Sequence, residues 1–219
     1  KTDERGALAD LVERLSIGNL MDREISRLSG GEMQRVAIAA TAARDANFYF
    51  FDEISPYLDI YQRINVARIL QSLAKDRAVM VVEHDLGLLD LLAENVHLMF
   101  GVPGAYGVIT RPKGVRVGIN QYLRGNLPEE NVRFRDTAIT FEVHAPRIEK
   151  EIPALIGYDA FVKQYSTFRL EAEAGIIRRG EVVGILGANG IGKSIYIKIL
   201  VGVEEPTAGK FDSRLKVSY

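Results

Sequence analysis

The chain has 219 residues, 47% of them apolar, with 28 Lys and Arg against 29 Asp and Glu for a formal charge of −1. This composition excludes a disordered tail and a uniformly basic surface, leaving only local basic clusters such as Arg111–Arg116 and Arg133–Arg135 for contact with nucleic acid. Without cysteine there is no disulfide framework or thiolate-bound cluster in these residues, and no apolar run approaches the roughly 18 residues of a membrane span.

In chain order, Ala7, Leu8, Leu11, Val12 and Leu15 recur at helical spacing and predict an amphipathic helix ending near Gly18. Ser29 and Glu32 form a capping-box pair ahead of Met33, Val36, Ala37, Ile38 and Ala40, which predicts a second helix start. Phe48 to Phe51 is a continuous apolar run closed by Asp52 and Glu53, the pattern of a parallel strand covered on both faces. A helix from about Asp59 to Ala74, a strand Ala78 to Val82 and a helix from about Leu86 to Ala93 continue the alternation and imply a parallel sheet. Beyond Val96 to Phe100, the glycines and prolines between Gly101 and Gly118 break the chain into turns and short strands, as in a connector. Alternation returns from about Tyr158 through Glu173, and Gly180 leads into an expected strand Glu181 to Leu186, followed by a helix over Ile195 to Val201. The start at Lys1, with neither an initiator methionine nor a signal-peptide pattern, is expected of a segment of a longer intracellular protein.

Four stretches carry chemistry. GANGIGKS at Gly187 to Ser194 matches the full phosphate-loop pattern between an apolar segment and a helix. In that role Gly187, Asn189, Gly190 and Gly192 let backbone N–H groups curl around phosphate oxygens, Lys193 reaches the β and γ phosphates, and Ser194 ligates Mg²⁺. The plainer alternative is a glycine-rich turn with a surface lysine. LSGGEMQR at Leu28 to Arg35 places Gly30 and Gly31 at a helix start whose bare N–H donors suit an anion, although Ser29 and Glu32 would cap the helix without any ligand. A carboxylate pair closing an apolar strand needs a cation or water, so Asp52 is a candidate Mg²⁺ ligand and Glu53 a candidate for orienting the attacking water, against the alternative of a solvated turn. His84 ends the next strand and is expected near Glu53 as a γ-phosphate sensor or, alternatively, as a structural histidine; His97 and His144 read as structural.

These motifs resemble those of the ATP-binding-cassette superfamily, and their order is unusual for one cassette, because the phosphate loop follows the other three. The stretches VVEHDLGLLD, RVGINQYLRGNLPEENVRFR and EVVGILGANGIGKS narrow the resemblance to the class E twin-cassette ATPases, the ribosome-recycling RNase L inhibitor family of archaea and eukaryotes. The resemblance implies an α/β fold of two incomplete P-loop cassettes joined by a hinge. Residues 1–101 would end the first cassette, 102–149 would be mostly hinge, and 150–219 would open the second. It further implies ATP hydrolysis in the intact parent, with ATP and Mg²⁺ as cofactors and iron–sulfur clusters only in an N-terminal domain outside this chain. The implied partners are ATP, ADP, ribosomal subunits and recycling factors, with a cytoplasmic monomer, no membrane and intramolecular pairing of cassettes. In such a pair the phosphate loop of Gly187 to Ser194 and the tip Ser29 to Glu32 would grip one nucleotide, whereas Asp52, Glu53 and His84 would serve another, so the chain alone is expected to hydrolyse ATP poorly. Asp59 in SPYLD matches the loop by which cassettes address the opposing site, and Tyr165 and Phe168 match the aromatic that stacks on adenine, with core packing an equal alternative. The chain departs from the family at Ile54, Ser55 and Pro56, which shift the proline by two residues, and at Ala188 and Ile195, where proline and a second threonine are usual. A transporter subunit, and a clamp using ATP as a closure ligand, are the competing readings.

Overall fold

The computed structural model describes residues 3–141 and 153–209, and the chain divides into two compact units, Lys1–Val143 and His144–Tyr219. His144 and the expected boundary at 149–150 lie outside the described residues.

The first unit opens with α1 (Leu8–Arg14), shorter than the periodicity suggests. Ser16 takes a left-handed φ of 51° and turns the chain into a 3-10 turn at Gly18–Leu20, which lets Leu15, Ile17 and Leu20 all enter the core. Helix α2 (Gly30–Ala42) begins at the capping box read from Ser29 and Glu32. Strand β1 (Phe48–Asp52), helix α3 (Ile60–Leu73), strand β2 (Ala78–Val82) and helix α4 (Leu86–Leu92) follow the expected alternation. Asp59 starts α3 by accepting from Gln62 N at 3.0 Å, and Gln62 Oε1 accepts in return from Asp59 N at 3.3 Å. Val66, Ala67, Ile69, Leu70 and Leu73 then form one buried stripe at helical spacing.

Strands β1 and β2 pair in parallel, from Phe48 opposite Ala78 to Asp52 opposite Val82. The expectation that β1 is covered on both faces is not met, since Tyr49 and Phe51 are buried while Phe48 and Phe50 remain 53% and 51% exposed. Successive side chains of a strand point to opposite faces, and the helices deliver Ile38, Ala42, Val66 and Leu70 to the cluster that holds Tyr49 and Phe51.

The connector is more ordered than its glycines suggest. It runs through β3 (Asn95–Val96), β4 (Met99–Val102), β5 (Tyr106–Ile109), β6 (Lys113–Gly114), α5 (Val115–Arg124), β7 (Asn126–Leu127) and β8 (Val132–Arg133), with antiparallel pairs β3–β6, β4–β5 and β7–β8. Helix α5 was not expected from sequence; it ends at Gly125, whose φ of 70° forms a left-handed cap. Gly118 lets α5 approach β3 closely, because a Cβ there would lie 2.3 Å from Val96 Cγ1. His97 Nδ1 meets Thr110 O at 2.9 Å, the structural role its sequence context suggested.

The second unit holds β9 (Ala154–Tyr158), β10 (Phe161–Gln164), β11 (Arg169–Ala172), β12 (Gly175–Arg178) and α6 (Lys193–Leu200). Its strand pairs, β9 with β12 and β10 with β11, are antiparallel, so the parallel arrangement is confined to β1 and β2 among the described residues. The expected strand Glu181 to Leu186 does not form. Its Val182 and Leu186 are 98% and 99% exposed, and an apolar run becomes a strand only where a neighbour completes its hydrogen-bond ladder. Phe161, Ile199 and Leu200 form the small core of this unit, with Tyr158, Leu170, Ile195 and Tyr196 packed around them.

Candidate functional site

At the tip of α2 the Ser29 hydroxyl accepts from Glu32 N at 3.4 Å, and the Glu32 carboxylate accepts from Ser29 N at 2.8 Å and from Ser29 Oγ at 2.9 Å. These hydrogen bonds, with the Arg23 guanidinium at 3.4 Å, hold the Glu32 carboxyl below its ordinary value of 4.5. The helix is therefore capped from within. Gly30 and Gly31 lie against the loop that follows β1: a Cβ on Gly30 would sit 3.1 Å from the Tyr57 ring, and one on Gly31 would sit 2.8 Å from Tyr57 O.

That loop carries the departures noted at Ile54 to Pro56. Leu58 N donates to Ser55 O at 3.1 Å, and Tyr57 takes φ 64°. Pro56 thus occupies the second position of a tight turn and Tyr57 the left-handed third, the pattern of a type II turn. Ile54 and Leu58 anchor the turn in the core, and Asp59 leaves it as the cap of α3.

Glu53 N donates to Val82 O at 2.9 Å, extending the β1–β2 ladder one residue past the strand. Glu53 itself is left-handed at φ 48°, and its carbonyl accepts from Gln34 Nε2 of α2 at 3.0 Å. The parallel register brings the next strand end alongside, so His84 Nε2 lies 3.2 Å from Glu53 Oε1, with both side chains open to solvent. Asp52, Glu53 and His84 thus share the carboxyl edge of one two-stranded sheet, as their sequence positions suggested. Beside His84, Asp85 accepts from Gly87 N and Leu88 N, each at 3.0 Å, to cap α4, and pairs with Arg63 of α3.

In the second unit, Gly190 at φ 77° and Gly192 at φ 96° turn the chain into the N-terminus of α6. Lys193 folds over this loop and donates from Nζ to Gly187 O at 2.7 Å and to Ala188 O at 2.6 Å. Asn189 and Ser194 are exposed beside it, whereas Ile195 packs against the core of the unit. Phe168 lies beneath the loop, where a Cβ on Gly192 would come 2.8 Å from Phe168 Cζ. Tyr165, 6.5 Å from Phe168 between ring centroids, donates its hydroxyl to Glu204. Of the two aromatics, Phe168 is used in packing and Tyr165 stays 37% exposed.

Two left-handed glycines at the start of an eight-residue helix suit a phosphate chain, whose charge the helix end and Lys193 would meet. No group of three or more His, Cys, Asp or Glu converges among the described residues. A lone hydroxyl at Ser194 or a lone carboxylate at Asp52 instead fits Mg²⁺, which retains waters and substrate oxygens as ligands. Sequence reasoning missed Gln34, Tyr57, Lys163 and Glu204, whose partners lie far away along the chain and leave no local pattern.

A family profile described as ABC transporter matches residues 1–55 and 173–216. The chain is 51% identical over 221 residues to an uncharacterized ABC transporter ATP-binding protein of Methanocaldococcus jannaschii, covering 100% of this chain and 36% of that protein. To Protein Pixie of Drosophila melanogaster it is 42% identical over 222 residues, again 100% of this chain and 36% of the relative. A crystal structure of an archaeal ribosome recycling factor in complex with a ribosomal stalk protein aligns with a TM-score of 0.88 at 51% identity, over 99% of this chain and 44% of that one. A structure of an RNase-L Inhibitor aligns with a TM-score of 0.88 at 52% identity, over 97% and 41% of the two chains. The chain therefore spans about a third of the length of these curated relatives. Among the described residues no helix is long and apolar enough to cross a membrane.

Proposed function

Because this chain belongs to the ATP-binding-cassette superfamily and to its class E branch, we propose that it binds ATP and forms part of a longer twin-cassette ATPase. Nucleotide-driven closure of that ATPase would act on ribosomes in the cytoplasm. The observation that carries this reading is the loop Gly187 to Lys193, whose left-handed Gly190 and Gly192 lead directly into α6. In this reading the backbone of Gly187, Asn189, Gly190 and Gly192 wraps the phosphates, and Lys193 exchanges the carbonyls of Gly187 and Ala188 for phosphate oxygens. Ser194 in one site and Asp52 in the other would each hold a Mg²⁺, which would supply charge neutralisation to the nucleotide bound there. Glu53 orients a water for attack on a γ-phosphate, and His84, 3.2 Å from that carboxylate, senses the phosphate's presence. Ser29, Gly30, Gly31 and Glu32 offer a capped helix tip to a nucleotide, and Asp59 fixes the loop behind it. The translation-linked relatives support action on ribosomal subunits and their recycling factors.

Lys193 and Glu53 serve different nucleotides in this scheme, so the 219-residue chain is expected to bind Mg·ATP but release phosphate poorly. Calorimetric titration checks binding, which Lys193→Ala should weaken at least about tenfold, or about 1.4 kcal/mol. Steady phosphate release by the chain that disappears in Lys193→Ala would show instead that its sites are self-sufficient. In the full-length protein, single-turnover hydrolysis should be lost in Glu53→Gln; retention of that step would mean a clamp that uses ATP for closure alone.

A further inference from the structure

We propose that Glu204, braced by Lys163, is a positioning residue that locks Tyr165 as a fixed platform for the base of a purine nucleotide. The inference rests on the nucleotide-binding reading above and concerns how that site recognises its ligand beyond the phosphates. Two charged groups, the Glu204 carboxylate and the Lys163 ammonium, meet at the Tyr165 ring. Its hydroxyl donates to Glu204 Oε1, the same oxygen lies 3.2 Å from Lys163 Nζ, and that ammonium sits 5.3 Å from the ring centroid. The same ammonium also donates to Glu205 O at 2.7 Å, which fixes it to the chain that follows α6. The brace is sheltered, with the Lys163 and Glu204 side chains only 16% and 25% exposed, while the ring they hold remains accessible.

Glu204 is placed by the helix that begins at the phosphate loop. After α6, Val203 N and Glu204 N both donate to Lys198 O, at 2.8 and 3.1 Å, and Gly202 at φ 74° makes this reversal possible. At the backbone, Tyr165 N donates to Phe168 O at 2.8 Å, and the Phe168 ring lies against Gly192. Phosphate loop, α6, Glu204, Tyr165 and Phe168 thus form a closed circuit back to the loop. A stacking side chain already held in one rotamer loses less entropy when a base lands on it, so the brace converts ring area into affinity.

The test is calorimetric titration of the 219-residue chain and its variants with Mg·ATP and, in parallel, with magnesium triphosphate, which lacks the base. One stacked base is worth about tenfold in affinity, and Glu204→Ala is expected to lose roughly fivefold of this for ATP while triphosphate binding stays unchanged. Tyr165→Ala should abolish the preference for ATP, and Glu204→Ala added to it should produce no further loss. Glu204→Gln, which keeps an acceptor for the phenol, should recover most of the affinity and controls for misfolding. Equal losses for ATP and triphosphate, or additive losses in the double variant, would reduce the cluster to a structural tie and overturn the proposal. If the unsubstituted chain binds both ligands equally, this inference alone fails; if it binds neither, the nucleotide reading beneath it fails as well.

Discussion

Gly31 and Gly192 each face a neighbour that leaves no room for a methyl group, and each stands where a candidate anion-binding turn meets its helix. A Cβ on Gly31 would lie 2.8 Å from a backbone oxygen, which cannot swing aside as a side chain can. Gly31→Ala is therefore expected to lower unfolding free energy by about 1–3 kcal/mol in urea titrations. Gly192→Ala should cost at least as much, since it adds left-handed strain to the clash with Phe168. Glu32, Glu129 and Glu204 are all held below the ordinary value of 4.5, led respectively by the backbone N–H of Ser29, the Lys113 ammonium and the Tyr165 hydroxyl. A depressed carboxyl contributes stability that is complete above its unfolded value and is lost as pH falls through the folded one. The melting temperature should therefore drop once pH goes below 4.5, and Glu32→Gln should flatten part of that drop. Motif residues such as Lys193 and Glu53 were legible because their types and spacing have few other uses. Glu204 was not, because its partner Tyr165 lies 39 residues away.

Among the elements, those that advertise their own ends were the legible ones. Ser29 with Glu32 and Asp59 with Gln62 both close reciprocal caps at the starts of α2 and α3, and β2 spans the apolar run from which it was predicted. Helix α5 leaves no such signal, because Gly118, which reads as a breaker, serves as a point of close approach to Val96. The Glu181 to Leu186 segment failed in the opposite sense: strand propensity is local, but a ladder is a property of two segments. Asp85 joins two elements, capping α4 and pairing with Arg63 of α3. Asp85→Ala is expected to cost about 1–2 kcal/mol through the lost cap. Hydrogen exchange should locate the damage at the Gly87 and Leu88 amides before it spreads further.

Across the whole molecule, the balance of 28 basic and 29 acidic residues hides an uneven apolar surface. Val182 and Leu186 are almost fully exposed, and Phe48, Phe50 and Met80 are each about half exposed. Large apolar side chains left this open to water favour association with other apolar surfaces. The chain should bind a hydrophobic dye in its folded state, and replacing Val182 and Leu186 together by lysine should reduce the signal without lowering the melting temperature. Fold class and chemistry were readable at this scale from four short motifs, and their order implied two incomplete cassettes, whereas the place of the division between Lys1–Val143 and His144–Tyr219 is set by packing. The lockstep of β1 with β2 also governs where this chain tolerates changes in length. An extra residue in the bend around Lys75 and Asp76 would be absorbed outside the sheet, whereas one inserted between Ala78 and Val82 would swing the imidazole to the far side and part it from its carboxylate. Insertions and deletions should thus accumulate in that bend and be purged from the strand beside it.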